Sequence, residues 1–394
     1  MVQRLGLRFL ELVQKEYVDP RSANTILWST LLLHRRDRAA MKPFMEAATF
    51  LILGSPKGGD PSFLSACSDV ELSNFAWFLS RTRCYDEEAL FALANRILEP
   101  DILESFSPKS AARVLSSFTE LIESSAEEAS VIHSVLSQLF HGLGTHLLSA
   151  QLTPAETSAS MLAYAKASYI QDMGIFDHLA DHLREILESC SIRQVSEGLW
   201  ACGKMMAWES DQNGELESEP PYFKAAREYA AFLASLATQL TARDVSQAIW
   251  ASGRLGIADF KIVCAFAYRA RQVAPNCTSQ EVATILWGLS KVGYDDRAVI
   301  LAFTNRLKDL HPTSQEGATV LYALGRMDIR DDIVFSSMSN VMMEQLETAS
   351  AQAVANALWA HRAVHIAPPQ ELLDSWAIQK LGLDGVQQYR IEDL

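Results

Sequence analysis

The 394-residue sequence predicts an all-α fold, an α-solenoid of about nine helical-hairpin repeats of ~37 residues each. Three observations carry the prediction. An aromatic residue returns in the same local context along the whole chain, as in GLWACGKMM, AIWASGRLG, ILWGLSKVG and VLYALGRMD. A good helix N-cap residue stands nine positions before each copy. No segment sustains the period-two alternation of a strand.

Taking the aromatic as position zero, the copies fall at Trp28, Trp77, Trp200, Trp250, Trp287, Tyr322 and Trp359, with Ser116 and Leu162 filling the slot in two divergent copies. Nine residues upstream stand Asp19, Ser68, Ser107, Thr153, Ser191, Thr241, Thr278, Thr313 and Ser350, and these mark the repeat starts. Pro20, Pro108 and Pro154 follow three of them, where a missing N–H costs nothing. Glu71, Glu156, Asp244, Glu281 and Glu316 stand three residues after their caps, the spacing of a capping box, and Gln194 does the same after Ser191.

In chain order, residues 1–18 form an N-terminal capping helix, for which an organelle presequence remnant is the alternative. Residues 19–366 are the repeat array, and residues 367–394 hold a closing helix over 370–380 and a tail. Second helices show as DRAVILAFTNRLKDL (296–310) and DIVFSSMSNVMMEQL (332–346). The longer repeats carry insertions, GSPKGGDPS (54–62) and the acidic ESDQNGELESEPP (209–221), both expected to be loops.

Each residue turns a helix by about 100°, which sorts the positions of the first helix into faces. Positions −5, −2, −1 and +2 are apolar, as in Val282, Ile285, Leu286 and Leu289, and face the second helix of the same hairpin. Position +1 is small in eight copies, Phe78 excepted, so neighbouring first helices approach there. The tryptophans are expected to be largely buried against the next first helix near that small residue.

Positions −7, −3 and +4 lie together on the opposite side. Their 27 residues include eleven Lys or Arg and two Glu, a stripe of net charge +9 on a protein of net charge −14. The bases are Arg21, Arg81, Lys109, Arg113, Lys166, Arg193, Lys204, Arg243, Arg254, Lys291 and Arg326. Favourable placement near a helix C-terminus accounts for bases at +4 but not for those at −7, in the first turn. The stripe therefore points to a track for a polyanion. The uncharged side chains at −3, Thr25, Asn74, Gln247, Thr284, Thr319 and Asn356, are candidates to contact base edges.

The motif N-x-L-W-A-L-x-K-L-G underlies these copies, seen in Asn356, Leu358 and Trp359 and in Leu286–Trp287 with Lys291–Val292–Gly293. It resembles the octotricopeptide and heptatricopeptide repeats of organellar RNA-maturation proteins, including relatives that end in a RAP domain and FAST-kinase-like proteins. The resemblance covers residues 19–380. It implies first helices lining a concave face that binds single-stranded RNA, ribosomal RNA included, in mitochondria or alternatively plastids. The segment LGLDGVQQYRIEDL shows no RAP pattern, so the resemblance implies binding rather than cleavage.

Other classes are poorly supported. No run of about 18 uncharged apolar residues offers a membrane span. Six cysteines without CxxC spacing read as thiols of a reducing compartment. GSPKGGDPS lacks the GK[ST] ending of a phosphate loop. His178 with His182, and His361 with His365, have a metal-pair spacing but no third ligand, and read as surface or packing residues. No catalytic constellation can be assembled, and no metal or cofactor is called for. The sequence thus predicts a non-enzymatic RNA binder. The alternative is a protein–protein scaffold of an organellar ribosomal or respiratory assembly, favoured by the net charge of −14.

Overall fold

The computed structural model describes residues 2–15, 18–34, 37–54, 62–123, 130–169, 171–213 and 219–373, and among these there are helices and turns but no strand. The protein is an all-α helical-repeat solenoid. Its first helices are Pro20–His34, Asp69–Thr82, Pro108–Glu123, Pro154–Ala167, Ile192–Asn213, Ala242–Leu255, Ser279–Lys291, Ser314–Arg326 and Ala351–Ala363. Its second helices are Arg38–Leu53, Glu87–Leu98, Ser130–Leu148, Met173–Glu185, Tyr222–Ser235, Phe260–Val273, Arg297–Leu307 and Asp332–Glu344. The chain divides into two compact units, Met1–Cys190 and Ser191–Leu394, and the division falls at a repeat start.

Local chemistry sets both ends of the first helices. Each of the nine polar residues immediately precedes its helix, and each side chain accepts from the N–H three residues on. Thr278 is representative. Its Oγ1 accepts from the N–H of Glu281 at 3.3 Å, while the Glu281 carboxylate accepts from the Thr278 N–H at 2.8 Å. Thr278→Ala is expected to cost about 1 kcal/mol in a urea titration, with Thr278→Ser close to wild type.

The other end is equally regular. In six repeats position +6 has positive φ: Arg83, Ser168, Gly256, Gly293, Asp328 and His365. The next N–H then reaches the carbonyl at +2, as from Tyr294 to Leu289 at 3.0 Å and from Ile329 to Leu324 at 2.9 Å. This is the Schellman closure, and it explains the glycine that follows the basic residue in two copies. Second helices have their own caps, which the sequence reading did not use. Asp37, Asp86, Asp259, Asp296 and Asp331 each accept from backbone N–H groups of the helix they start.

The core lies between the two helix rows. Val282, Ile285, Leu286 and Leu289 are fully buried. Their helix packs on Arg297–Leu307, whose Val299, Ile300, Phe303 and Leu307 are buried as well. Arginines outside the stripe tie hairpins to their own repeat starts: Arg306 Nε donates to the carbonyl of Cys277 at 3.0 Å, and Arg269 Nε to that of Leu240 at 2.8 Å.

The helix Val2–Lys15 packs on the second helix of repeat 1, with Phe9 against Phe44, and leaves Ile26 and Leu33 of the first helix exposed. It therefore covers the second-helix row at that end. One of the expected elements, the loop over 209–221, needs correction. The segment 209–221 is not wholly a loop, because the first helix of repeat 5 runs on to Asn213. Residues 55–61 of the other insertion, and the closing segment beyond 373, lie outside the described residues.

Candidate nucleic-acid interface

Within each unit, consecutive first helices pack side by side. Where they cross, two columns of small residues meet. A Cβ on Gly253 would lie 3.1 Å from the Gly288 Cα, one on Gly203 3.0 Å from the Ala251 Cα, and one on Gly325 2.9 Å from the Ala360 Cα. Position +1 of one helix thus meets position +3 of the helix before it. The sequence reading found the first column and missed the second, although Gly203, Gly253, Ser290 and Gly325 repeat visibly.

This close approach brings the aromatic rings together. In the C-terminal unit Trp200 and Trp250 stack at 5.7 Å, Trp250 and Trp287 follow at 6.4 Å, and Tyr322 and Trp359 lie at 5.1 Å. In the N-terminal unit Trp28 stacks on Trp77 at 4.3 Å. The rings keep an exposed edge, but each is mostly covered by the neighbouring first helix: a Cβ on Gly203 would lie 3.2 Å from the Trp250 ring.

The bases at +4 complete the ladder. Arg254 lies 5.8 Å from the Trp250 ring and 4.9 Å from the Trp287 ring, and Lys291 lies 5.4 Å from Trp287 and 5.8 Å from Tyr322. One helical turn places the base above its own ring, and the helix crossing supplies the second ring. Arg326 is held differently, donating from Nε to the Ser290 carbonyl of the preceding repeat at 3.2 Å. At Arg254 and Lys291 the pairing of an aromatic residue with a base four residues on is therefore a cation–aromatic ladder.

The stripe is not uniformly available. Both of its glutamates are paired with its own bases, Glu120 with Arg81 at 3.4 Å and Glu197 with Arg193 at 2.9 Å. Arg113 crosses to the Trp28 ring and donates to Asn74. Arg21, Lys109 and Arg243 are exposed, and Lys166 and Lys204 are half-exposed. At −3, the Thr25 and Thr319 hydroxyls donate at 2.8 Å to the carbonyls of Arg21 and Gln315 in their own helices. Gln247 accepts from Ser196 at 3.3 Å, and Asn356 accepts from Gln352 at 2.9 Å. Thr284 is half-buried on the same face.

One histidine of each pair is held by packing. His182 Nδ1 lies 3.1 Å from the Thr157 hydroxyl, and burial, then the neighbouring His178, hold its pKa below the ordinary value. His361 is buried, with Nε2 2.8 Å from Ser339 Oγ, and burial lowers its pKa too. His365 has left the helix and sits at positive φ. No described helix is long and apolar enough to cross a membrane.

Over residues 239–394 the chain is similar to the family described as RNA-editing substrate-binding complex 6 protein. No curated protein matches the chain. Among solved structures it is similar to yeast Rmd9p in complex with a 16-nt target RNA, with 13% identity and a TM-score of 0.29 over 94% of this chain and 89% of that one. It is also similar to the pentatricopeptide repeat protein PPR10 in complex with an 18-nt psaJ RNA element, with 14% identity and a TM-score of 0.19 over 99% of this chain and 68% of that one.

Proposed function

We propose that the protein binds single-stranded RNA along its first-helix face and acts as a non-catalytic component of an organellar, mitochondrial RNA-processing assembly. The observation that carries this is the ladder itself. Alternating rings and cations on one face of an acidic protein suit a strand that offers phosphates and unstacked bases together. Cations set against aromatic faces place positive charge beside stacking surface, where one nucleotide's phosphate and base can be met together. The description of the family similar over residues 239–394 names an RNA-editing substrate-binding complex, which supports both the ligand and the multi-protein setting. The octotricopeptide-like motif supports the organellar placement.

The phosphates are met by Arg21, Lys109, Lys204, Arg243, Arg254, Lys291 and Arg326, with Lys166 and Arg113 beside them. Arg81 and Arg193 contribute less because each already faces a glutamate. Base edges are read by the amides at −3, while Thr25 and Thr319 have committed their hydroxyl protons to the backbone.

Fluorescence anisotropy across a salt series tests the reading. With about four to six phosphate contacts the log–log slope is expected near −3 to −4 for single-stranded RNA, with much weaker binding to a duplex of the same sequence. Absence of salt-sensitive binding to single strands would put the scaffold reading first. That reading has its own observation, the exposed Phe260, Tyr268, Leu301 and Ile333 on the second helices of repeats 6 to 8.

A further inference from the structure

The N-terminal unit holds a cleft of about 630 Å³ between the first helices of repeats 1 and 2. Arg21 and Trp28 line one side, Val70 and Asn74 the other, and Arg113 reaches in from repeat 3. Repeat 3 has Ser116 where a ring would continue the ladder, and the Arg113 guanidinium instead lies 5.7 Å from the Trp28 ring and donates to Asn74 Oδ1.

The charges here are out of balance. Glu71 also lines the cleft, but its carboxylate is spent on the N–H and hydroxyl of Ser68, at 2.8 and 2.7 Å. Among the described residues no carboxylate lies within ion-pair distance of Arg21 or Arg113. Arg113 is half-buried, and burial pulls its pKa below the ordinary value. A guanidinium drawn out of water without a counter-ion costs free energy that an incoming anion recovers. Inorganic phosphate would satisfy the two arginines alone. The indole and the exposed Val70 favour a ligand that carries a flat apolar surface next to its phosphate.

We infer that this cleft binds one unpaired nucleotide of the RNA, its phosphate bridged by Arg21 and Arg113 and its base laid on Trp28 with Asn74 at its edge. Arg113 holds the ring and the amide in the free protein, and exchanges them for the phosphate when the nucleotide enters. The inference rests on the RNA-binding reading and adds a defined anchor to it.

The test uses the full chain and a labelled 12-nt single-stranded RNA of mixed sequence. The double variant Arg21→Gln/Arg113→Gln is expected to bind about tenfold more weakly, with a salt slope shallower by about 0.7, one phosphate. Because Arg113 also packs on Trp28, a second variant guards against misfolding. Ser29→Glu puts a carboxylate on the exposed wall of the cleft, where it competes with the phosphate for the two arginines, and the same loss is expected at a melting temperature no lower than wild type. As competitors, 5′-AMP is expected to act at about tenfold lower concentration than inorganic phosphate, because only AMP offers a base to stack. Wild-type affinity in Ser29→Glu, or AMP no better than phosphate, overturns the anchor. If Arg254→Glu/Lys291→Glu still loses binding in the same assay, the wider RNA reading survives that result. If the wild-type chain binds no RNA, both fall.

Discussion

Reversing Arg254 and Lys291 together to glutamate is expected to weaken single-stranded RNA binding by about 100-fold or more. Each is held between two rings of the ladder, with its charge directed along the first-helix face. A charge-assisted contact contributes about 1.5–3 kcal/mol, so losing two removes roughly 3–6 kcal/mol even before repulsion. The salt slope should become shallower by about 1.4, two phosphates at about 0.7 each. Stability will not be untouched, since each exposed cation–ring contact is worth about 0.5–1 kcal/mol. Arg254→Met/Lys291→Met is therefore the companion, because it keeps much of the side-chain packing and deletes only charge. It should melt within a few degrees of wild type and still show the shallower slope. Wild-type affinity in both variants would mean that the basic stripe serves the fold, and RNA would lose its strongest support.

The largest effect on stability is expected at Gly288. A Cβ there would stand 2.6 Å from the Ile249 carbonyl oxygen and 2.7 Å from Ile249 Cγ2. The nearest obstacle is backbone, so the two helices must separate. Gly288→Ala should cost about 1–2 kcal/mol even though alanine gains about 1 kcal/mol in helix propensity. Gly288→Leu should cost about 3 kcal/mol or more and pull Trp250 away from Trp287, which near-ultraviolet circular dichroism would register. Gly293 is the control. It has φ 72°, and nothing lies within 4 Å of its missing Cβ. Gly293→Ala should therefore lose only about 1–2 kcal/mol, from backbone conformation alone. A Gly288→Ala protein more stable than wild type would show that the helices do not cross as closely as described.

Helix starts were legible because a cap is a contact between residues three apart. Thr278 and Glu281 find each other whatever the rest of the chain does, and so do their counterparts in the other repeats. The face of Val282, Ile285, Leu286 and Leu289 was legible for the same reason, since helical periodicity is local. The small residue at +1 was visible but its partner was not. That Gly253 meets Gly288 depends on the angle and offset at which two helices 37 residues apart cross, and no periodicity in one helix states it. What the tryptophans pack against was hidden on the same account. A ring 100° from the small column reads as a stacking element, and only the crossing shows that its partner is the next ring.

Charge shows the division most clearly. Composition and position alone made a stripe of +9 on an acidic chain. Only the tertiary structure decided that Arg81 and Arg193 spend theirs on glutamates, that Arg254 and Lys291 lie between aromatic rings, and that Arg113 crosses to Trp28. A charge belongs to a residue and can be counted from the sequence. What that charge faces is set by helices packed from distant parts of the chain, and the distance between them decides whether it is neutralised or left for a ligand.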